Sequence, residues 1–137
     1  VDVAHNEESL LASLGTLRRV SSARRSILVF AALAHKELGR FPREALGSAR
    51  EIVVTPLSDP RGASAKRLCG IFTAARRGVR GRGVSARRGA RSAAASVTAA
   101  RSVREAVRIA ERAARPADTI VILGSHHTVD EAAVSIR

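Results

Sequence analysis

All four histidines of this 137-residue chain fall in three short polar segments. His5 lies in Asp2-Val3-Ala4-His5-Asn6, and His35 lies in Ala34-His35-Lys36-Glu37. His126 and His127 share Gly124-Ser125-His126-His127-Thr128. Lys36, one of only two lysines, sits in the second segment. Such clustering would be uncommon for randomly scattered histidines, and the three segments are the candidate site. Asn6 has two readings, a helix cap or a ligand contact, and asparagine favours the cap. A metal centre is not predicted: the adjacent His126 and His127 point in different directions, and no carboxylate–histidine spacing accompanies them. Cys69 is the single cysteine, which excludes an intramolecular disulfide and any multi-cysteine metal site.

The elements that must hold these segments are legible as alternating patterns. Leu10, Leu14 and Leu17, with Leu11 beside them, form a helical stripe beginning at Asn6. Glu7 and Glu8 at its start and Arg18 and Arg19 at its end both suit the helix dipole. Ser26 to Ala31, Glu51 to Thr55 and Thr119 to Leu123 are apolar runs of the kind found in strands buried on both faces. Helices are predicted around 37–47, limited by Pro42, over about 64–76, and from about Val129 onward. Ser102-Val103-Arg104-Glu105 is a capping-box pattern that opens a further helix, which Pro116 ends. Ser58-Asp59-Pro60-Arg61-Gly62 reads as a turn. Such alternation predicts one α/β domain over residues 1–137, with a mostly parallel, Rossmann-like sheet flanked by helices. In such a sheet ligands bind beyond the carboxyl ends of the strands, where the three polar segments fall.

The charge balance is strongly positive. Lysine and arginine number 24 against 12 acidic residues, a formal net charge of +12, which attracts polyanions of any kind. Arginines and glycines concentrate between 76 and 91, and residues 76–100 are expected to form a mobile basic loop or insertion. That stretch raises the alternative of a non-catalytic module binding RNA or another polyanion. Against it stands the aromatic content: only Phe30, Phe41 and Phe72, with no Trp or Tyr to stack bases. No apolar run approaches the ~20 residues that span a bilayer, and the N-terminus shows no secretory signal. A reducing, cytoplasmic setting is expected.

Taken in order, several segments resemble the C-terminal domain of the bifunctional folylpolyglutamate synthase/dihydrofolate synthase family, in the Mur ligase superfamily. Asp2-Val3-Ala4-His5-Asn6 is similar to the Asp-x-Ala-His-Asn motif that opens this domain. Leu28 to Glu37 resembles its strand and following turn, although His35 replaces an acidic residue and Ala31 a glycine. Val53-Val54-Thr55-Pro56 with Pro60-Arg61-Gly62-Ala63-Ser64 is similar to its next strand and Pro-Arg-Ala turn. Ser102 to Ala110 resembles a helix rich in Glu-Ala pairs. Ile122-Leu123-Gly124-Ser125, with Glu131 beyond, looks like its closing Gly-Ser segment. A Mur-type peptide ligase is the neighbouring alternative, but Asn6 and the Phe30–Lys36 turn favour the folate family.

The resemblance implies an ATP- and Mg²⁺-dependent ligase that joins L-glutamate to dihydropteroate or to a folate through an acyl phosphate. It implies that Asp2 helps hold the nucleotide and that His5 and Ser125 face the glutamate. Lys36 and Asn6 would contact phosphate or carboxylate. The 137 residues contain no Gly-x-x-x-x-Gly-Lys-Ser/Thr phosphate loop. In this family that loop belongs to an upstream central domain, so the isolated chain is expected to be inactive and to need that domain as its partner.

Overall fold

The computed structural model describes residues 2–3, 6–80 and 94–136. Among them, five strands form one sheet: β1 (Asp2–Val3), β2 (Ser26–Ala31), β3 (Glu51–Val54), β4 (Ser96–Ala99) and β5 (Thr119–Gly124). Their order is β1-β5-β2-β3-β4, and all four pairings are parallel. The connections carry helices α1 (Glu7–Val20), α2 (Phe41–Leu46), α3 (Ala65–Arg80) and α4 (Val103–Ala113), and α5 (His126–Ile136) follows β5. The expected parallel α/β architecture is therefore present.

The strand period of two sorts side chains into two cores. Leu28, Phe30, Ile52, Val54 and Leu123 face α1, α2 and α3. Ile27, Val29, Val53 and Ile122 face α4 and α5. Each fully buried side chain of this size contributes about 1.5–3 kcal/mol relative to exposure. The first core is built from leucines and all three aromatics. Phe30, Phe41 and Phe72 are fully buried, with ring centroids 4.8–6.4 Å apart. The second is thin: Val103, Ala106, Val107 and Ala110 let α4 lie close to the sheet.

The structure corrects several boundaries. The third helix does not stop near Arg76 but continues to Arg80, because Ala74-Ala75-Arg76-Arg77 are good helix formers. An Arg76 guanidinium nitrogen also donates to the Ala95 carbonyl, tying the end of α3 to the chain entering β4. The expected basic loop over 76–100 is thus helical through 80 and strand over 96–99, while residues 81–93 lie outside the described residues. β4 carries no strand signal in the sequence because it is a four-residue edge strand, half-exposed, without a continuous apolar run. The second helix is shorter than 37–47, with Pro42 in its first turn. The last helix begins at His126 rather than near Val129, because the Ser125 carbonyl accepts from the Thr128 and Val129 N–H groups at 2.9 and 3.4 Å.

Candidate functional site

The sheet order creates a crevice at one place. β5 lies between β1 and β2, yet α5 packs on the face opposite α1 and α2. Chains leaving neighbouring strands in opposite directions open a gap beyond their carboxyl ends, the usual ligand position in an open α/β sheet. A recess of about 30 Å³ lies there, lined by Asn6, Phe30, Leu33, Lys36, Gly124 and Ser125 among others. It admits the end group of a ligand rather than a whole one. Described residues from each of the three polar segments, Asn6, Lys36 and Ser125, thus border this recess.

Individual residues differ in what they do. Asn6 caps α1: its side-chain oxygen accepts from the Ser9 N–H at 2.9 Å and the Ser9 hydroxyl at 2.8 Å. The capping reading is the one observed, although Asn6 also borders the recess. Lys36 is exposed on the turn after β2 and has no carboxylate partner among the described residues. Asp2 is placed by its backbone, in register with Leu123 on β5. His5 lies outside the described residues. His35 is exposed on the Ala34–His35 turn.

Ser125 differs from these. Its hydroxyl oxygen is buried and has no hydrogen-bond partner among the described residues. The same is true of the Thr128 hydroxyl, which no sequence signal marked. A buried polar group left unpaired costs about 1–3 kcal/mol, so such groups in a native fold call for a specific reason. Here the reason is local geometry. Gly124 has φ +145°, and a Cβ there would lie 2.1 Å from the Ala31 carbonyl oxygen and 2.7 Å from Thr128 Oγ1. Only glycine allows the backbone to turn this tightly from β5 into α5. The turn delivers Ser125 to the recess and starts α5 immediately, so the positive end of its dipole meets the same edge.

The connection 55–64 between β3 and α3 closes the surroundings. Asp59-Pro60-Arg61-Gly62 is a β-turn, with the Gly62 N–H donating to the Asp59 carbonyl at 2.9 Å. The Asp59 carboxylate accepts from the Arg61 side chain at 2.7 Å and its backbone N–H at 2.8 Å. Those bonds hold the Asp59 carboxyl well below the usual carboxylate range. His127 Nε2 lies 3.3 Å from the same carboxylate, which gives that histidine a structural partner. Among the described residues no group of three His, Cys, Asp or Glu side chains is placed to hold a metal ion. Cys69 is partly buried against the first core, and burial pushes its thiol pKa up, away from nucleophilic use.

Comparison with known proteins agrees with this fold. The family model of the Mur ligase glutamate ligase domain matches residues 1–126. FolC of E. coli, in complex with DHPP and ADP, superposes with a TM-score of 0.76 at 23% identity, covering 98% of this chain and 27% of that one. The bifunctional folylpolyglutamate synthase/dihydrofolate synthase of Yersinia pestis, complexed with AMPPNP and Mn ion, gives 0.75 at 24% identity, covering 99% and 28%. The Mycobacterium tuberculosis folylpolyglutamate synthase complexed with ADP gives 0.68 at 21%, covering 99% and 28%. At these identities the structural likeness establishes the fold, and this chain spans little more than a quarter of each of those proteins. A sequence comparison with curated proteins finds no match. The family match takes in all five strands and the crevice at their carboxyl ends, and the chain belongs to the Mur ligase glutamate ligase domain family.

Proposed function

We propose that this chain is the glutamate- and nucleotide-facing domain of an ATP-dependent ligase that adds L-glutamate to dihydropteroate or to a folate. The observation that carries the reading is the buried Ser125 hydroxyl at the switch-point recess, beside Lys36, neither with a side-chain partner among the described residues. A glutamate carboxylate supplies acceptor oxygens for both groups, and the start of α5 favours its negative charge.

In the proposed reaction ATP transfers its γ-phosphoryl group to the acceptor's carboxylate. The glutamate amine then attacks the acyl carbon, forms the amide, loses a proton and expels inorganic phosphate. The chain's own residues position rather than bond: Ser125, with His5, orients the glutamate, Lys36 neutralises carboxylate or phosphate, and Asp2 contacts the nucleotide. Orientation of this kind contributes through proximity and preorganised charge. Mg²⁺ and the triphosphate fall to a partner central domain carrying a phosphate loop, since no such loop occurs in the 137 residues and no described cluster suits a metal. The proposed setting is the cytoplasm.

The test is an amide NMR titration of the chain with L-glutamate, D-glutamate and ADP, beside a Mg-ATP ligation assay. The reading predicts L-glutamate-selective shifts at Lys36, Gly124 and Ser125 and no ligation by the chain alone. Equal response to the two enantiomers, or none at those amides, would overturn the glutamate assignment.

A further inference from the structure

The connection 55–64 is absent from the walls of the recess, yet it is bonded to the segment that forms one wall and to the helix that follows the other. On one side it pairs with the segment after β2: the Ala34 N–H donates to the Arg61 carbonyl, and the Ala63 N–H to the Ala32 carbonyl, each at 2.8 Å. Leu33 and Gly62 form an antiparallel bridge between these two bonds. On the other side it meets α5. The Ser58 N–H and hydroxyl both donate to Glu131 Oε1, at 3.0 and 2.5 Å, and Asp59 faces His127. His127 and Glu131 are four residues apart and share one face of the helix.

The turn itself is stiff. Asp59 is held by Arg61, and a Cβ on Gly62 would stand 2.9 Å from the Leu57 Cβ and 3.0 Å from the Asp59 carbonyl oxygen. The bases of the two walls are paired in the sheet, Ala31 opposite Gly124, and the connector ties the parts beyond the strands, from the 32–34 segment to α5. One wall carries Leu33 and Lys36; the other carries Gly124 and Ser125. The geometry points to Glu131 as a positioning residue, whose carboxylate locks the 55–64 turn to α5 and so sets the distance between the Lys36 and Ser125 walls. It does not line the recess, and it acts through Ser58. The consequence for ligand rests on the glutamate reading above; the mechanical link does not.

The experiment compares Glu131→Ala and Glu131→Gln in the full chain by amide hydrogen exchange and by L-glutamate titration. Glutamine keeps an acceptor oxygen for both Ser58 donors, whereas alanine removes it. Glu131→Ala is expected to speed exchange at the Ala34 and Ala63 amides roughly tenfold, with central amides such as Val29 and Ile122 unchanged. Glu131→Gln is expected to restore most of the protection. The same alanine variant should weaken L-glutamate binding roughly tenfold. Unchanged exchange at Ala34 and Ala63 in Glu131→Ala would overturn the link, and so would equal loss in the glutamine variant. If the unmodified chain fails to bind L-glutamate while exchange behaves as expected, the positioning link stands and the ligand assignment falls.

Discussion

The two edges of the sheet treat buried polar groups in opposite ways. At the amino edge Ser26, Ser48 and Arg50 find partners, and among the described residues one buried atom there, Arg76 Nε, does not. The Ser26 hydroxyl donates to the Ser22 carbonyl at 2.9 Å, and the Ser48 hydroxyl donates to the Glu44 carbonyl and accepts from Arg18 Nε. Arg50 Nη2 reaches both Asp118 Oδ2 at 2.8 Å and the Ala113 carbonyl at 3.1 Å. At the carboxyl edge the Thr55 hydroxyl donates to the Pro56 carbonyl, but the Ser125 and Thr128 hydroxyls are buried with no partner among the described residues. The two open hydroxyls at the carboxyl edge border or adjoin the recess that the proposed ligand would fill. Since the strands and cores are shared, the difference lies in the connections.

Breaking the carboxyl-edge turn should have the largest effect. Gly124→Ala places a methyl group against the Ala31 carbonyl at a φ that side chains avoid, and a loss of about 3 kcal/mol is expected. Urea unfolding would show it as a fall in midpoint at unchanged slope. At the amino edge, Arg50→Met removes two bonds at once and should cost about 1–2 kcal/mol while leaving ligand shifts at Lys36 and Ser125 intact. A variant that lost both stability and ligand response would erase the proposed division between edges.

Acid provides a milder probe. The Asp118 carboxyl is held below its ordinary pKa by the Arg115 N–H and by Arg50, and Glu44 is held below its own by Arg18. Carboxyls whose folded pKa is depressed stabilise the fold above their unfolded pKa, and that contribution is lost as pH falls through the folded value. Stability should therefore be flat from pH 7 down to about 5 and decline below about pH 4, where a net positive chain also repels itself. Circular-dichroism melts across that range would check it. The smallest expected change is a gain. Ala117 sits at φ +72° in the turn before β5, so Ala117→Gly should stabilise the chain by about 0.5–1 kcal/mol.

How much of this was legible follows from how local each signal is. Ser26 to Ala31 and Thr119 to Leu123 announced themselves because a strand buried on both faces needs an unbroken apolar run. The Asn6 and Ser102 caps could be read because a cap acts within three residues. Arg101, rather than Ser102, supplies the backbone N–H bound by Glu105, a one-residue change in the capping box that spacing alone does not resolve. β4 left little trace, being short and half-exposed. Parallel topology predicts that Asn6, Lys36 and Ser125 meet at one edge, but not the roles of their neighbours: His127 faces Asp59, and among the described residues Thr128 as well as Ser125 has an open hydroxyl. The Ser58–Glu131 bond joins residues 73 apart, and no local pattern encodes it.

The most direct test of the account is Ser125→Ala, followed by both thermal melting and L-glutamate titration. If the hydroxyl is held open for ligand, removing it should leave Tm within about 2 °C and weaken L-glutamate binding roughly tenfold or more. A clear loss of Tm with unchanged glutamate affinity would mean that Ser125 serves the fold, and the contrast between the two edges would then carry no functional meaning.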